Sequence, residues 1–140
     1  MSPVPDVAAE ILRRFRRIAV VGISDRPERP SHEVARYLRD AGYTIVPVNP
    51  RLETVLGLEC HADLASIPAP VEVVDVFRRS ELVGPVVDAA IAVGARAVWL
   101  QDGVVDEAAA ARARAAGLLV VMDRCMLRDH AALARTRGGG

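Results

Sequence analysis

The segment Gly22-Ile23-Ser24-Asp25-Arg26-Pro27-Glu28-Arg29-Pro30-Ser31 concentrates groups suited to holding phosphate. Gly22 permits a tight turn or a close backbone approach. A helix that begins just after Pro30 leaves its first amides free for an anion. Ser24 and Ser31 offer hydroxyl donors, and Arg26 or Arg29 can neutralise a diphosphate. The competing structural reading is a rigid two-proline surface loop, with Ser31 as an ordinary helix N-cap. All 18 basic residues are arginine, so the lysine of a GxxxxGK[ST] phosphate loop is missing. A GxGxxG dinucleotide fingerprint needs glycine at position 24, where Ser24 stands. An NAD site also wants an acid at the end of the second strand, and the chain has Asn49-Pro50-Arg51 there. NAD is therefore disfavoured. NADP stays open, because Arg51 suits a 2′-phosphate.

Three further clusters bear on the same chemistry. Phe77-Arg78-Arg79-Ser80 offers two guanidinium groups, a hydroxyl and a ring that could cover an adenine or an alkyl arm. It reads equally well as a solvated turn before a helix, because arginine is abundant throughout. Gln101-Asp102-Gly103 supplies an amide and a glycine that lets a backbone approach a ligand. Cys125 follows the last strand, where it could face a ligand, although buried thiols are commonly inert. Asp75 lies inside an apolar run and needs a partner. His32, His61 and His130 are scattered, with His61 expected in a loop and His130 on a solvated helix surface. No nucleophile–base pair and no metal-ligating set stands out.

The elements that must position these groups alternate in type. Short, largely apolar runs occur at 18–21, 44–48, 71–76, 97–100 and 119–122. Runs of this kind suit strands buried on both faces. Helical spacing of Val7, Ile11, Leu12 and Phe15 puts a helix before the first strand. Further helices are expected from Ser31 to Ala41, from Leu82 to Val93, from Asp106 to Ala116 and from Met126 to Arg135, with a short one over 62–67. Strands alternating with helices form right-handed crossovers and a parallel sheet covered on both faces. The expected fold is thus α/β, a single Rossmann-like, doubly wound sheet of about five strands, with its strand order left open. The 140 residues suit one domain, with 1–5 and 136–140 expected to fray. Ligands of such sheets bind beyond the carboxyl ends of the strands, at the point where strand order reverses. The clusters above all fall on that edge.

Composition narrows the partners. Lys+Arg and Asp+Glu are both 18, so the basic excess of a dedicated nucleic-acid binder is missing. Aromatic residues make up 4%, too few for base-stacking platforms. No run approaches the ~20 apolar residues of a membrane span, and no secretory signal is visible. Two cysteines outside any CxxC spacing suit a reducing cytoplasm.

Taken in order, Val20-Val21-Gly22-Ile23-Ser24, Pro27-Glu28-Arg29-Pro30-Ser31 and Val46-Pro47-Val48-Asn49-Pro50 resemble the small CoA-binding proteins. So do Leu56-Gly57, Val73-Val74-Asp75-Val76-Phe77-Arg78-Arg79-Ser80, Val98-Trp99-Leu100-Gln101 and Asp123-Arg124-Cys125. The likeness runs from about Ile11 to Leu133 and is similar to that of the CoA-binding N-terminal domain of the succinyl-CoA synthetase α subunit. It implies a Rossmann-type sheet with coenzyme A at the switch point. The Gly22–Ser24 turn would approach the diphosphate, with Arg29 and Ser31 near phosphate. Val48, Asn49 and Pro50 would line the nucleotide side, Val76 to Ser80 would border the ligand, and Gln101 would lie near the pantetheine arm. Relatives often carry lysine near Arg26 or Arg51, so arginine would serve there with different geometry. The synthetases use a phosphorylated histidine in a second domain that this chain lacks, so ligase activity by this chain alone is not implied. The resulting expectation is a binder of CoA or an acyl-CoA without catalysis of its own. A small NADP-dependent oxidoreductase is one alternative. A subunit lending its CoA site to a partner enzyme is another, and a homo-oligomer is compatible with each.

Overall fold

The computed structural model describes residues 4–139. In chain order its elements are α1 (Asp6–Arg14), β1 (Arg17–Val21), α2 (Pro30–Asp40), β2 (Thr44–Val48), β3 (Thr54–Val55), β4 (Leu58–Glu59), β5 (Val73–Val76), α3 (Val83–Ala92), β6 (Ala97–Leu100), α4 (Glu107–Ala115), β7 (Leu119–Val121) and α5 (Met126–Gly139). Five strands form one parallel sheet in the order β2-β1-β5-β6-β7. Counted among the parallel strands alone, that order is 2-1-3-4-5, the flavodoxin-like variant of the doubly wound plan. Side chains alternate across the sheet, so each strand feeds two cores. Ile18, Val20, Val73 and Trp99 pack under α1, α2 and α5. Ala19, Val21, Val74, Val76 and Leu100 pack under α3 and α4. Trp99 is fully buried, as its strand position implies, and its indole N–H donates to the Arg124 carbonyl at 2.9 Å.

Several boundaries differ from the sequence-based expectation. Ser31 is not the cap of α2: Arg29 takes that place and Pro30 opens the helix. Proline suits the first helical position because its missing N–H would be unpaired there anyway. The short helix expected over 62–67 is a single 3₁₀ turn, Leu64–Ser66, whose Asp63 carboxylate accepts the Ser66 amide at 2.9 Å. β5 starts at Val73 rather than Val71. Glu72 instead turns its carboxylate to the Arg16 and Arg17 amides, both at 2.9 Å, which lower its pKa. The β3–β4 hairpin was not anticipated, and its tight turn uses positive φ at Leu56 and Gly57. α5 continues past Arg135 to Gly139. Of the segments expected to fray, residues 1–3 and 140 lie outside the described residues. No helix among the described residues is long and apolar enough to cross a membrane.

Gly22 closes β1 where the sheet divides. Its amide donates to the Val48 carbonyl at 2.9 Å, while the Phe77 amide donates to Val21 at 2.9 Å. Gly22 has φ +85, and a Cβ there would overlap the Phe77 carbonyl oxygen and lie 3.1 Å from its carbon. Both the torsion and the contact are with backbone, which cannot swing aside. Gly22→Ala is expected to lower the unfolding free energy by about 1–3 kcal/mol. Urea denaturation reads this directly, and a loss under ~0.5 kcal/mol would show that the sheet tolerates the overlap.

Candidate functional site

A cleft of about 810 Å³ opens at the carboxyl edge, over the divergence of β1 and β5. That volume lies within the range of small-molecule sites. The turn after β1 and the start of α2 contribute Gly22, Ser24, Arg26, Arg29, Pro30 and Ser31. The end of β5 contributes Phe77, Arg78 and Arg79, and the end of β6 contributes Gln101 and Gly103.

The phosphate-type loop is held rigidly. The Ser24 amide donates to Ser31 Oγ at 2.9 Å, and the Ser24 carbonyl pairs with His32 Nδ1 at 3.0 Å. The Ser24 hydroxyl accepts the Arg26 amide at 3.0 Å. Ser31 and His32 are both buried, so the first turn of α2 and the loop behave as one unit. The Ser31 amide, the first N–H of the helix, makes no hydrogen bond among the described residues. Around it, the guanidinium groups of Arg26, Arg29 and Arg78 make no ion pair or hydrogen bond among the described residues. Arg79 meets Glu81 at 3.4 Å, but that pair is well exposed and contributes little.

Other sequence-nominated residues lie outside the cleft lining. Ile23, Val48 and Val76 are buried in the core beneath it. Asn49 ties two loops together: its side-chain amide donates to the Ile23 carbonyl at 2.8 Å and its oxygen accepts the Arg51 amide at 2.9 Å. Pro50 and Arg51 are exposed beyond β2 and do not line the cleft. Ser80 braces the next loop, accepting the Val105 amide at 2.9 Å.

Sequence reasoning did not select Glu33, Val34, Val104 and Arg128, which also line the cleft, as does Asp102 within the 101–103 cluster. Arg128 donates to Asp102 at 2.7 Å, joining α5 to the loop after β6. The signal was available, because the first turn of a helix that follows a strand must rise from this same edge. The Asp123 carboxylate secures that loop by accepting the Gly103 amide at 2.7 Å. His130 departs from the solvated position expected for it: it packs edge-on against Tyr37 and Tyr43 and pairs with the Tyr37 hydroxyl at 2.8 Å.

The arrangement suits recognition of a multiply charged anion. Cys125 lines the cleft, but burial pushes its thiol up, which disfavours the reactive thiolate. Among the described residues no group of three His, Cys, Asp or Glu side chains could hold a metal ion.

A family model described as a CoA binding domain matches residues 16–131. The uncharacterized protein YneT of Bacillus subtilis is 44% identical over 122 residues, spanning 87% of this chain and 90% of that protein. A hypothetical protein from Pyrococcus horikoshii superimposes with a TM-score of 0.90 at 40% identity, covering 96% of this chain and 97% of the other. The dinucleotide-forming acetyl-coenzyme A synthetase 1 of Ca. Korarchaeum cryptofilum is similar at 25% identity with a TM-score of 0.69. That likeness covers 79% of this chain but 27% of the synthetase.

Beneath the cleft, Asp75 is fully buried, and desolvation pushes its pKa from 3.8 up to about 7 against the opposing hydrogen bond from Gln101. Unfolding exposes the carboxyl, which then releases its proton at lower pH than the folded state does. The stability held below pH ~4 is therefore lost progressively as pH rises towards ~7, by at most about 1.4 kcal/mol per pH unit. Asp75→Asn is expected to remove that slope and to be relatively more stable at pH 8. Urea midpoints of both proteins from pH 4 to 8 measure it, and parallel curves would show that Asp75 does not titrate in this window.

Proposed function

Because the chain belongs to the CoA binding domain family, we propose that it binds coenzyme A, or an acyl-CoA, in the cleft above β1 and β5. The observation that carries this reading is that Arg26, Arg29 and Arg78, none of them ion-paired among the described residues, line one cleft with the start of α2. Such groups suit a ligand with several phosphates, since charge-assisted contacts and helix amides favour anions. CoA carries a diphosphate and a separate 3′-phosphate. The position where an NAD site keeps an acid is held by Asn49, whose side chain is already engaged by Ile23 and Arg51.

The binding is proposed to proceed without chemistry by this chain. His32 is engaged by the Ser24 carbonyl, and among the described residues no side chain of the cleft is paired as nucleophile and base. One further reading has a specific support. The matched region of the archaeal synthetase is a fraction of a larger enzyme, so this chain could supply a CoA site to a partner that performs the chemistry. The balanced net charge supports a small-molecule ligand rather than nucleic acid. A cytoplasmic setting supplies CoA and fits the two free thiols, Cys60 and Cys125.

Thermal shift with CoA, NADPH and NAD tests the reading. CoA at 100 times its dissociation constant is expected to stabilise the fold by ~2.7 kcal/mol. A shift with NADPH and none with CoA would replace the CoA reading with a nicotinamide one. Arg29→Ala is expected to weaken CoA binding by roughly ten- to a hundredfold in calorimetry. Unchanged affinity would make Arg29 a plain surface residue.

A further inference from the structure

Below the phosphate-type loop lies a buried polar pair with no part in phosphate contact. The register sets Asp75 between Val20 of β1 and Trp99 of β6. Its Oδ1 accepts a hydrogen bond from Gln101 Nε2 at 2.6 Å, while Oδ2 has no partner among the described residues. Gln101 itself is 4% exposed, yet it lines the cleft. Its Oε1 accepts no hydrogen bond among the described residues and is not sealed from solvent as Asp75 Oδ2 is. Gln101 therefore lines the cleft with a carbonyl oxygen that has no partner among the described residues and keeps some access to solvent.

A free glutamine amide can turn over and exchange donor for acceptor. A carboxylate removes that freedom, because it can only accept. With Asp75 ionised, the amide must give its N–H₂ inward, and the oxygen is what a ligand meets. Turning it over would set Oε1 against Oδ1 and cost the buried carboxylate its one hydrogen bond. An acid buried at this cost, with one oxygen unpaired, is hard to explain by packing alone.

We propose that Asp75 is a positioning residue that fixes the polarity of Gln101, so that the cleft presents a hydrogen-bond acceptor beyond its phosphate-binding end and selects ligands carrying an N–H, O–H or S–H donor there. The selection rests on the CoA reading above, while the orientation of the amide does not. In the pantetheine arm of CoA the donors are the two amide N–H groups, the hydroxyl of the pantoyl unit and the terminal thiol. Acylation removes the thiol donor and leaves both amides and the hydroxyl.

The test is calorimetry at pH 8, above the Asp75 pKa of about 7, with three probes. CoA carries every donor, acetyl-CoA lacks the S–H, and adenosine 3′,5′-bisphosphate lacks the whole arm. Asp75→Asn can donate or accept and so releases Gln101 to turn. It is expected to weaken CoA by about three- to tenfold and to leave the bisphosphate unchanged. In a Gln101→Met background the same Asp75 substitution is expected to add no further loss of CoA affinity, as required if Asp75 acts through Gln101. A loss with acetyl-CoA as large as with CoA assigns the donor to an amide or the hydroxyl of the arm, and a loss confined to CoA assigns it to the thiol. Equal weakening of CoA and bisphosphate, or none of either, would overturn the proposal. Failure of the unmodified protein to bind either probe would overturn the CoA reading instead. Nitrogen-15 NMR of the Gln101 side chain then reads the orientation without any ligand. One slowly exchanging N–H₂ signal that shifts in Asp75→Asn is expected, and an unshifted signal would end the positioning role as well.

Discussion

The site depends on one close approach. At the end of β1 the chain must pass the Phe77 carbonyl at a distance no side chain allows, and Gly22 is the residue that lets it. On one side Gly22 is tied to β2 through Val48, and on the other Phe77 is tied back to Val21. β1 is therefore held to both neighbours up to the point where its loop departs. Because the sheet order reverses at β1, the loops after β1 and β5 leave in different directions and a cleft opens between them. The Ser24 contacts to Ser31 and His32 then lock the departing loop onto α2. Rigid backbone thus brings Arg26 and Arg29 to the same opening as Arg78.

Two kinds of polar chemistry share this opening. The outer part is cationic, with Arg26 and Arg29 exposed and Arg78 half-buried, and its attraction for an anion is long-range and weakened by salt. The inner part is the Asp75–Gln101 pair, short-ranged and sealed from water on the Asp75 side. Sequence distance hides this division, because Asp75 and Gln101 belong to different strands, and parallel register makes them neighbours. The outer contacts attract charge, while the inner pair discriminates by hydrogen-bond polarity.

Most of the fold was legible in the sequence because strands buried on both faces carry nearly continuous apolar runs. All five parallel strands were found that way, and the α/β class with them. The hairpin at Thr54–Glu59 was missed because its strands are two residues each and Leu56 takes a positive φ that its type does not advertise. Ser31 was read as a cap from its residue type alone, whereas Pro30 fixed the helix start one residue earlier. In the candidate site, the edge rule brought the loop of 22–31 together with 77–79, 101 and 103. Arg51 and Ser80 obeyed the same rule yet lie outside the cleft, since adjacency to a strand end does not say which way a loop turns. Arg128 escaped notice because it reaches the site from α5, and its partner Asp102 is 26 residues away in sequence. His130 looked solvated on helical periodicity, and only tertiary packing set it between two tyrosines.

A crystal structure of the protein grown with CoA tests the central claim most directly. The expected result is CoA in the cleft over β1 and β5, with phosphate oxygens within hydrogen-bond reach of the Ser31 amide and of at least two among Arg26, Arg29 and Arg78. CoA seated elsewhere, such as the second cavity beside Arg13, Arg16 and His130, with the cleft over β1 and β5 empty, would contradict it.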